Sequence, residues 1–497
     1  MRATLTVLFA IALGTTLVVV SPRWFAPAAS HSSTIAYTVW GMPFEDRLFE
    51  DRWARGFELA NPGVRVDYQR YSDVAMKYNA WHARGWGPEV MRLPITEYHS
   101  MVRRGLLERL DPFLDDPASG LPPVDLADIP PMLLDALRID GSLYALPEDS
   151  AQFGLFYNKA IFDAHNAANP LDPIPYPDHD WTWSTLREAA RRLASHDPRG
   201  QVIVQGLDTT IWAWPFINFF AQAGGVLWTD DQLTTLIDSP AGIEALAFMR
   251  ALITEDRAWK PSFGKEQGTG PEARFADGRT AMLLGGSWLV PSLELQNPAL
   301  DFAVAPAPRG RVRAIVCGCV TRAMSVHARD KHTGWAMHRW LAHADQAREY
   351  WNVLRVAPPA SLAVLASDEF TRTEGVPDPA RPGVFLVPPM PSERFNDRAA
   401  WLRAAVTPDP HTGRIPGFVP VAFYQSRLER EIESMLQQFL KDCDQAAAAH
   451  AAAPDPPSRQ RIIDAVDPRP HLARVKAAVH ADIDRDRAAA GLPPVLR

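Results

Sequence analysis

The feature that most constrains the fold of this chain is an alternation of short β-rich stretches with stretches that carry apolar residues at helical spacing. Thr34–Trp40 is rich in β-branched and aromatic residues, whereas Glu45–Leu59 repeats apolar residues along one helix face. The helical pattern stops at Asn61-Pro62-Gly63, and a second β-rich stretch follows over Val64–Tyr71. Strands that alternate with helices form a parallel or mixed sheet covered by helices. The sequence therefore predicts an α/β fold.

The same alternation restarts after about residue 150 and again after about residue 300. Helical patterns are predicted over 183–194, with Ser184 as the cap, and over 211–223, 240–253 and 334–350. A length of 497 residues also exceeds what one hydrophobic core usually serves. We therefore expect two α/β lobes, with a chain that crosses between them.

The charge balance argues against nucleic acid or an anionic membrane surface as the partner. Lys and Arg total 51 against 58 Asp and Glu, a net charge of −7, and there is no long basic run. Such a surface neither neutralises phosphates nor attracts anionic lipid. We expect a monomer whose partner is a neutral or weakly charged small molecule.

The N-terminal residues resemble an export signal. Arg2 precedes the apolar run Ala3–Val20, and the small residues Ala26-Pro27-Ala28 follow. The run is also close to the minimum length for spanning a bilayer, so an uncleaved anchor is the alternative. We therefore expect a periplasmic or extracellular protein, either released or held at the membrane by this segment.

The cysteines and histidines do not indicate a redox or metal site. Cys317 and Cys319 lie two residues apart in an apolar stretch, where a strand points both thiols to one face, and Cys443 is distant in sequence. The histidines between 327 and 343 lack the paired spacing of metal ligands. We expect buried thiols, no disulfide, no metal ion and no cofactor.

A series of short motifs occurs in a characteristic order between residues 34 and 365. The motifs include Tyr37–Trp40, Asn61–Val66, Gly87–Val90, Gly105–Asp111, Gly141–Pro147, Leu155–Lys159, Trp183–Leu186, Phe275–Gly278, Gly286–Trp288 and Asp301–Pro306. By these motifs the chain resembles the extracellular solute-binding proteins, a family that includes maltodextrin-binding proteins. It departs from the family pattern in having Pro88-Glu89-Val90 where Pro-Asp-Val is usual, and in lacking the cysteine that usually carries a lipid.

The resemblance implies a periplasmic-binding-protein-like fold, in which two α/β lobes are joined by crossover hinge segments with a ligand cleft between them. Residues 1–30 would then be a signal peptide or anchor, 31–150 and 302–349 the first lobe, and 151–301 and 350–497 the second lobe. The alanine-, proline- and aspartate-rich stretch near 445–460 is interpreted as a mobile insertion between C-terminal helices.

Tryptophan is abundant, and its indole ring stacks well on the apolar C–H face of a sugar. Trp288 is the first candidate, because a Gly-Gly-Ser turn precedes it and the family resemblance places an aromatic wall there. Trp40 is the second, because it ends the first predicted strand. Trp212, Trp214 and Trp401 are weaker candidates, since core packing is the more common role of a tryptophan.

Six polar residues are candidates for recognising hydroxyl groups. Glu45 follows the first strand, and Arg92, Thr96 and Glu97 lie at or after the end of the third. For these four the alternative is a solvated charge or polar group at a helix start. Glu148 and Asp149 come directly after Leu146-Pro147 at the first predicted crossing, where a hinge salt bridge is the alternative.

The function implied by the resemblance is that of the substrate-binding protein of an ABC import system. Such a protein binds a sugar or oligosaccharide by hinge closure and delivers it to permease subunits. An anchored sensing ectodomain without transport is one alternative, and a secreted glycoside hydrolase with two flanking carboxylates is another. No catalytic residue is predicted, because Gly285–Leu289 ends in leucine where a nucleophile elbow needs glycine. The identity and length of the sugar stay open, as does replacement of the sugar by a polyol or a glycerol phosphodiester.

Overall fold

The computed structural model describes residues 33–114, 123–263, 270–372, 374–377, 382–383, 385–387, 401–410 and 412–495. The predicted signal peptide or anchor, residues 1–30, lies outside these ranges. Nine strands build two main sheets: β1 (Ser33–Trp40), β2 (Val64–Tyr71), β3 (Val90–Pro94), β4 (Ala145–Pro147), β5 (Phe153–Asn158), β6 (Asp208–Thr209), β7 (Met282–Gly286), β8 (Phe302–Pro306) and β9 (Val320–Ala323).

The first sheet has the strand order β2-β1-β3-β9-β4 and forms the centre of the first lobe. β1 pairs in parallel with β2 and β3, and β9 runs antiparallel to β3 and β4. Ile35, Tyr37 and Val39 of β1 are buried against Phe49 and Trp53 from the helical segment that follows. The parallel strands therefore end at one edge of the sheet, with the residues after them close together.

The second sheet has the order β6-β7-β5-β8 and forms the centre of the second lobe. β5 is a central strand, antiparallel to both β7 and β8, and every residue in it is buried because both faces are covered. The remaining short strands pair as Arg138–Ile139 with Ser142–Leu143, Ser195–His196 with Val202–Val204, Ile315–Val316 with Gly417–Phe418, and Val376–Pro377 with Phe385–Val387.

Helices cover both sheets. They are α1 (Arg55–Ala60), α2 (Val74–His82), α3 (Ile95–Arg103), α4 (Asp111–Leu114), α5 (Pro131–Leu137), α6 (Lys159–Ala168), α7 (Trp183–Leu193), α8 (Ala213–Gln222), α9 (Pro240–Arg250), α10 (Pro271–Ala276), α11 (Leu289–Gln296), α12 (Lys331–Leu341), α13 (Ala344–Leu354), α14 (Leu362–Ala366), α15 (Gln425–Ala452), α16 (Pro456–Ala465) and α17 (Pro468–Ala489). A helical turn at Asp46–Leu48 and a π-helical stretch at Phe49–Ala54 lead into α1, and a second π-helical stretch, Ala251–Glu255, follows α9. Short 3₁₀ turns lie at Pro43–Glu45, Leu126–Asp128 and Asp368–Thr371.

Two local predictions for helices need correction. α7 is capped by Thr182 rather than Ser184, because the helix begins at Trp183 and the Thr182 hydroxyl accepts from the backbone N–H of Thr185. The predicted single helix over 334–350 is two helices, α12 and α13, and the His343 side chain caps the second. An apolar pattern that continues through the break hides it.

The chain crosses between the lobes in three neighbouring segments, 148–151, 318–320 and 358–360. The backbone N–H of Glu148 donates to the carbonyl of Val320 at 2.8 Å, which joins the first segment to the second. The N–H of Ser150 donates to the carbonyl of Pro358, also at 2.8 Å, which joins the first to the third. Three backbone strands held side by side are a narrow connection about which two lobes can rotate.

The predicted lobe boundaries differ from these crossings in two places. The boundary at 150/151 falls in the first crossing, but the one at 301/302 is too early, because β8 pairs with β5 of the second sheet. The boundary at 349/350 is also early, because Tyr350 and Leu354 are buried in the core of the first lobe. An apolar pattern predicts that a segment is buried but does not indicate which lobe's core it joins. The sequence pattern alone could therefore not locate these two crossings.

The last three helices pack on the second lobe. Leu428, Ile432 and Phe439 of α15 are buried in one core cluster with Phe216 of α8 and Leu246 of α9. The expectation of a mobile insertion near 445–460 is wrong, because 445–452 continue α15 and 456–465 form α16. Alanine has the highest helix propensity of all residues, so an alanine-rich stretch extends a helix rather than interrupting it.

Candidate functional site

A cleft of about 710 Å³ lies where the two lobes meet at the crossings. The first lobe contributes the end of β1 and the starts of α2 and α3, and the second contributes the starts of α8 and α11 together with α15. Pockets outside the ends of strands, where several loops converge, are the usual ligand sites of α/β proteins.

Four aromatic side chains form a wall on the second-lobe side of the cleft; we call Phe153, Trp212, Trp214 and Trp288 the aromatic wall. Trp212 and Trp214 are stacked with ring centroids 5.1 Å apart. The ring of Trp288 lies edge-on to both, at 5.9 Å and 6.2 Å. Trp212 and Trp288 are only partly buried, so they offer ring surface to a ligand.

Two glycines make room for these rings. A Cβ atom at Gly286 would come within 2.1 Å of the Trp288 ring, and one at Gly318 within 2.2 Å of the Trp214 ring. Both distances are far below van der Waals contact, so any side chain at either position would displace an indole. The small residues before Trp288, which made it a candidate in the sequence, therefore have a specific packing role.

Trp40 lies on the first-lobe side of the cleft at the end of β1 and is 38% exposed. The guanidinium carbon of Arg92 lies 5.8 Å from the centre of the Trp40 ring. Nη1 of Arg92 also donates a hydrogen bond to the backbone carbonyl oxygen of Trp40. The cleft therefore has aromatic surface on both lobes, from Trp40 on the first and Trp288 on the second.

Arg92 is held by two carboxylates. Its Nε donates to Oε1 of Glu148 at 2.8 Å, and Nη2 lies 3.4 Å from Oε1 of Glu45. Glu45 and Arg92 line the cleft, whereas Glu148 lies behind them and does not. All three are buried, so the guanidinium charge is offset within the protein and is not available to attract an anion.

Asp149 lines the cleft at the crossing, but both of its carboxylate oxygens already accept hydrogen bonds from the protein. Oδ1 accepts from the backbone N–H of Val320 at 2.9 Å, and Oδ2 from the Tyr350 hydroxyl at 2.7 Å. Burial raises the pKa of Asp149 to about 6, an effect that Glu148 reinforces. Of the two roles weighed for Glu148 and Asp149, this geometry favours the hinge contact.

Thr96 and Glu97 line the cleft from the first turn of α3. Burial raises the pKa of Glu97, and the nearby Arg430 of α15 opposes that effect. Since α3 belongs to the first lobe and α15 packs on the second, the two lobes come into contact where these helices meet beside the cleft.

Trp401 does not line the cleft. It is fully buried, its Nε1 donates to the carbonyl oxygen of Phe153 at 2.9 Å, and its ring packs edge-on against Phe156 at 5.7 Å. Gly154 leaves the space that the Trp401 ring occupies, because a Cβ there would approach Nε1 to 2.3 Å. Trp401 is therefore a core residue behind the aromatic wall.

Sequence reasoning missed the acidic residues that α15 brings to the cleft. Glu429 and Glu433 lie one helical turn apart and both line it. Oε1 of Glu429 accepts from Trp214 Nε1 at 3.3 Å and from Gln425 Nε2 at 2.9 Å. Glu272 also lines the cleft, where it accepts from the Thr210 hydroxyl at 2.7 Å. Glu429 is 215 residues from Trp214, so no local pattern indicates this contact.

The three cysteines are free and buried, as predicted, and burial raises the pKa of Cys317 to about 12. Across the described ranges, no group of three or more His, Cys, Asp or Glu side chains converges as a metal site. No helix in the same ranges combines the length and hydropathy of a membrane span.

A cleft that two hinged lobes line together is the arrangement of a protein that encloses a small solute. Comparison with known families agrees with this class. The chain belongs to the bacterial extracellular solute-binding protein family, whose model matches residues 53–378.

Individual relatives are distant. The chain is 25% identical over 271 residues to the maltotriose-binding protein of Pyrococcus abyssi, an alignment that covers 54% of this chain and 51% of that protein. It is 20% identical over 245 residues to the lactose-binding protein of Rhizobium radiobacter, with 49% and 53% covered. The chain thus spans about half the length of these curated relatives.

Solved structures show the same fold over nearly the whole chain. An ABC substrate-binding protein from Listeria monocytogenes, in complex with cycloalternan, has a TM-score of 0.67 at 18% identity and covers 93% of this chain and 99% of its own. The GacH receptor of Streptomyces glaucescens has a TM-score of 0.66 at 17% identity, with 92% and 99% covered. The predicted fold of two α/β lobes with crossover hinges and a cleft between them is confirmed.

Proposed function

We propose that this protein is the extracytoplasmic substrate-binding protein of an ABC import system, and that it binds a sugar or oligosaccharide in the cleft. The observation that carries the proposal is the aromatic wall, with Trp40 on the opposite lobe. Indole rings stack on the C–H faces of sugars, and carboxylates beside them accept hydrogen bonds from hydroxyl groups.

The names of similar proteins support the same solute class. The relatives above are described as maltotriose- and lactose-binding, and the GacH receptor was solved in complex with acarbose. All of these are saccharides or resemble them in size and hydroxyl content.

The proposed mechanism is hinge closure without a chemical step. A solute that touches Trp288 on one lobe and Trp40 on the other makes both contacts only when the lobes are closed, so binding shifts the population toward the closed form. Permease subunits would then receive the closed protein. The proposal places the protein outside the cytoplasm.

Calorimetric titration of the purified protein with mono- to tetrasaccharides tests the proposal. We expect saturable binding of at least one sugar, with chromatography showing the sugar unchanged after incubation. Absence of binding across the panel contradicts a sugar receptor, and release of shorter sugars would instead indicate a hydrolase.

Transport requires a second measurement. Deletion of the gene, with the permease genes intact, is expected to abolish uptake of the labelled sugar, and fractionation is expected to place the protein outside the cytoplasm. Undiminished uptake in the deletion strain, with binding intact in vitro, would favour a sensing role over transport.

A further inference from the structure

The cleft carries more negative charge than a neutral sugar needs. Its acidic lining residues are Glu45, Asp73, Glu97, Asp149, Glu272, Glu429 and Glu433. Arg92 is the basic side chain among the described lining residues, and its charge is offset by Glu45 and by Glu148 behind it. Carboxyl groups therefore outnumber basic groups around an enclosed solute, although burial raises the pKa values of Glu45, Glu97, Asp149 and Glu429 and Arg430 lies near Glu97.

Glu429 concentrates this charge beside the aromatic wall. It is linked to the wall through the hydrogen bond from Trp214, and that bond and the one from Gln425 both use Oε1. Oε2 accepts no hydrogen bond from any described residue. Burial raises the pKa of Glu429 to about 7, and Glu433 and Glu97 add to the effect. Glu429 is only partly buried, so its second carboxyl oxygen is available at the cleft surface to a hydrogen-bond donor of a ligand.

Aromatic faces and carboxylates favour the same type of ligand group. The π-face of an indole attracts a cation, and this attraction grows when water is excluded. The carboxylates of Glu429 and Glu433 lie on the second-lobe side with the wall, while Glu97 faces them from the first lobe. Because closure brings these like charges into a drier space, a positive group between them would favour the closed form.

We propose that the cleft takes a sugar-sized solute that carries a protonated amine, held against the aromatic wall by Glu429, Glu433 and Glu97. This inference rests on the proposed function, because it specifies the class of sugar bound at the same site. It also narrows the expectation of a neutral or weakly charged solute, which followed from the net charge of the whole chain and not from the cleft.

Matched sugars test the charge of the ligand directly. Calorimetry would compare glucosamine oligomers with their neutral N-acetylated counterparts and with glucose oligomers of equal length, at near-neutral pH, where the Glu429 carboxyl, with its pKa of about 7, is at least partly ionised and part of the amines carry a proton. We expect the amine-bearing series to bind at least about tenfold more tightly, a difference of about 1.4 kcal/mol. Added salt is expected to weaken that series alone.

Variants on α15 test whether the charge inside the cleft, rather than the net charge of the whole protein, determines affinity for the amine-bearing sugar. Glu429→Gln and Glu433→Gln are expected to reduce affinity for the amine-bearing sugar severalfold more than affinity for a neutral sugar, because glutamine can still hydrogen-bond a hydroxyl group but carries no charge. Glu431→Gln is the matched control, because Glu431 is on the same helix but pairs with Arg427 and does not line the cleft. It removes the same charge and is expected to leave both affinities unchanged.

The outcomes distinguish the inference from the function beneath it. Neutral sugars that bind as tightly as amino sugars, or an equal effect of Glu431→Gln and Glu429→Gln, would overturn the amine proposal and leave a sugar receptor. Failure of the whole panel to bind would overturn both.

Discussion

At the scale of single residues, the cleft separates tryptophans that look alike in the sequence. Trp288 and Trp401 were both candidates for a ligand wall, yet one lines the cleft and the other is enclosed behind it. The short glycine-rich turn before Trp288 was a usable signal, whereas Trp401 is placed by its contact with Phe153, 248 residues away. Local sequence identifies the turn but not the long-range contact.

The two tryptophans should therefore respond differently to truncation. Trp288→Ala is expected to weaken sugar binding by about 1–3 kcal/mol, because it removes a stacking surface while leaving no sealed cavity. Trp401→Ala should instead cost roughly 3–5 kcal/mol of unfolding free energy, as a buried aromatic truncation does. Calorimetry and denaturant unfolding on both variants check this. A soundly folded Trp288→Ala protein with wild-type affinity would contradict a role in binding.

Glu429 should leave a mark on the pH dependence of stability. Its pKa in the folded protein is raised from 4.5 to about 7, so the folded state holds a proton that the unfolded state has released over this interval. The corresponding stabilisation is present below about pH 4.5 and is lost as the pH rises to about 7. The Glu429→Gln variant has no titrating carboxyl at this position, so its stability does not include this pH-dependent contribution.

The groups that face this carboxyl are Gln425 and Glu433 of α15, Trp214 of α8, and Glu97 of α3, which has Arg430 beside it. Urea unfolding of wild type and Glu429→Gln without ligand, across this pH range, measures the difference. As the pH rises, we expect the unfolding free energy of the wild type to fall relative to that of Glu429→Gln. A difference that stays constant across the range would show that Glu429 titrates normally.

At the scale of elements, the pattern of apolar residues predicted most of the scaffold. β2 spans Val64–Tyr71 as predicted, and β1 begins one residue earlier than predicted and ends at Trp40 as expected. These strands are predictable because their side chains pack on helices that adjoin them in sequence. The lobe assignment of β8 was not predictable, since it depends on pairing with the distant strand β5. The break between α12 and α13 was missed because the apolar pattern continues through it.

α15 is the element that most changes the description of the site. Its apolar face joins the second-lobe core, while Glu429 and Glu433 on another face reach the cleft. The sequence predicts an amphipathic helix here, but it does not indicate that the polar face of this helix lines the cleft. Residues of α15 are therefore part of the lining of the cleft.

The packing of α15 can be tested at one buried position. Phe439→Ala should destabilise the protein by about 3–5 kcal/mol, because Phe439 is fully buried in the second-lobe core. Gln437→Ala is the control, since Gln437 is exposed two residues earlier on the same helix and should change stability by less than about 0.5 kcal/mol. Equal, small effects at both positions would mean that α15 does not pack on the lobe.

At the scale of the whole molecule, the two lobes share three adjacent backbone crossings and a cleft between them. Backbone hydrogen bonds such as that from Glu148 to Val320 keep the crossings together, and Asp149 adds a side-chain link from Tyr350. Rotation about this narrow connection changes the separation of Trp40 and Trp288 without disturbing either core.

Ligand binding should therefore make the protein more compact. Small-angle X-ray scattering with and without a saturating sugar is expected to show a smaller radius of gyration in the bound state, because contacts to both lobes form only on closure. The Trp288→Ala variant at the same sugar concentration serves as the comparison. An unchanged radius at proven saturation of the wild-type protein would contradict hinge closure.

The geometry of the aromatic wall also has an optical consequence. Trp212 and Trp214 are stacked at 5.1 Å, and Trp288 lies edge-on within 6.2 Å of both, so three indole chromophores are held in a fixed, chiral arrangement. Chromophores this close couple their electronic transitions, which gives an exciton signal in the ultraviolet circular dichroism spectrum. A solute seated on Trp288 changes the orientation and solvation of one member of the set. The unlabelled wild-type protein therefore carries a spectroscopic reporter of its own occupancy, and a screen of solutes can follow that signal without an attached dye.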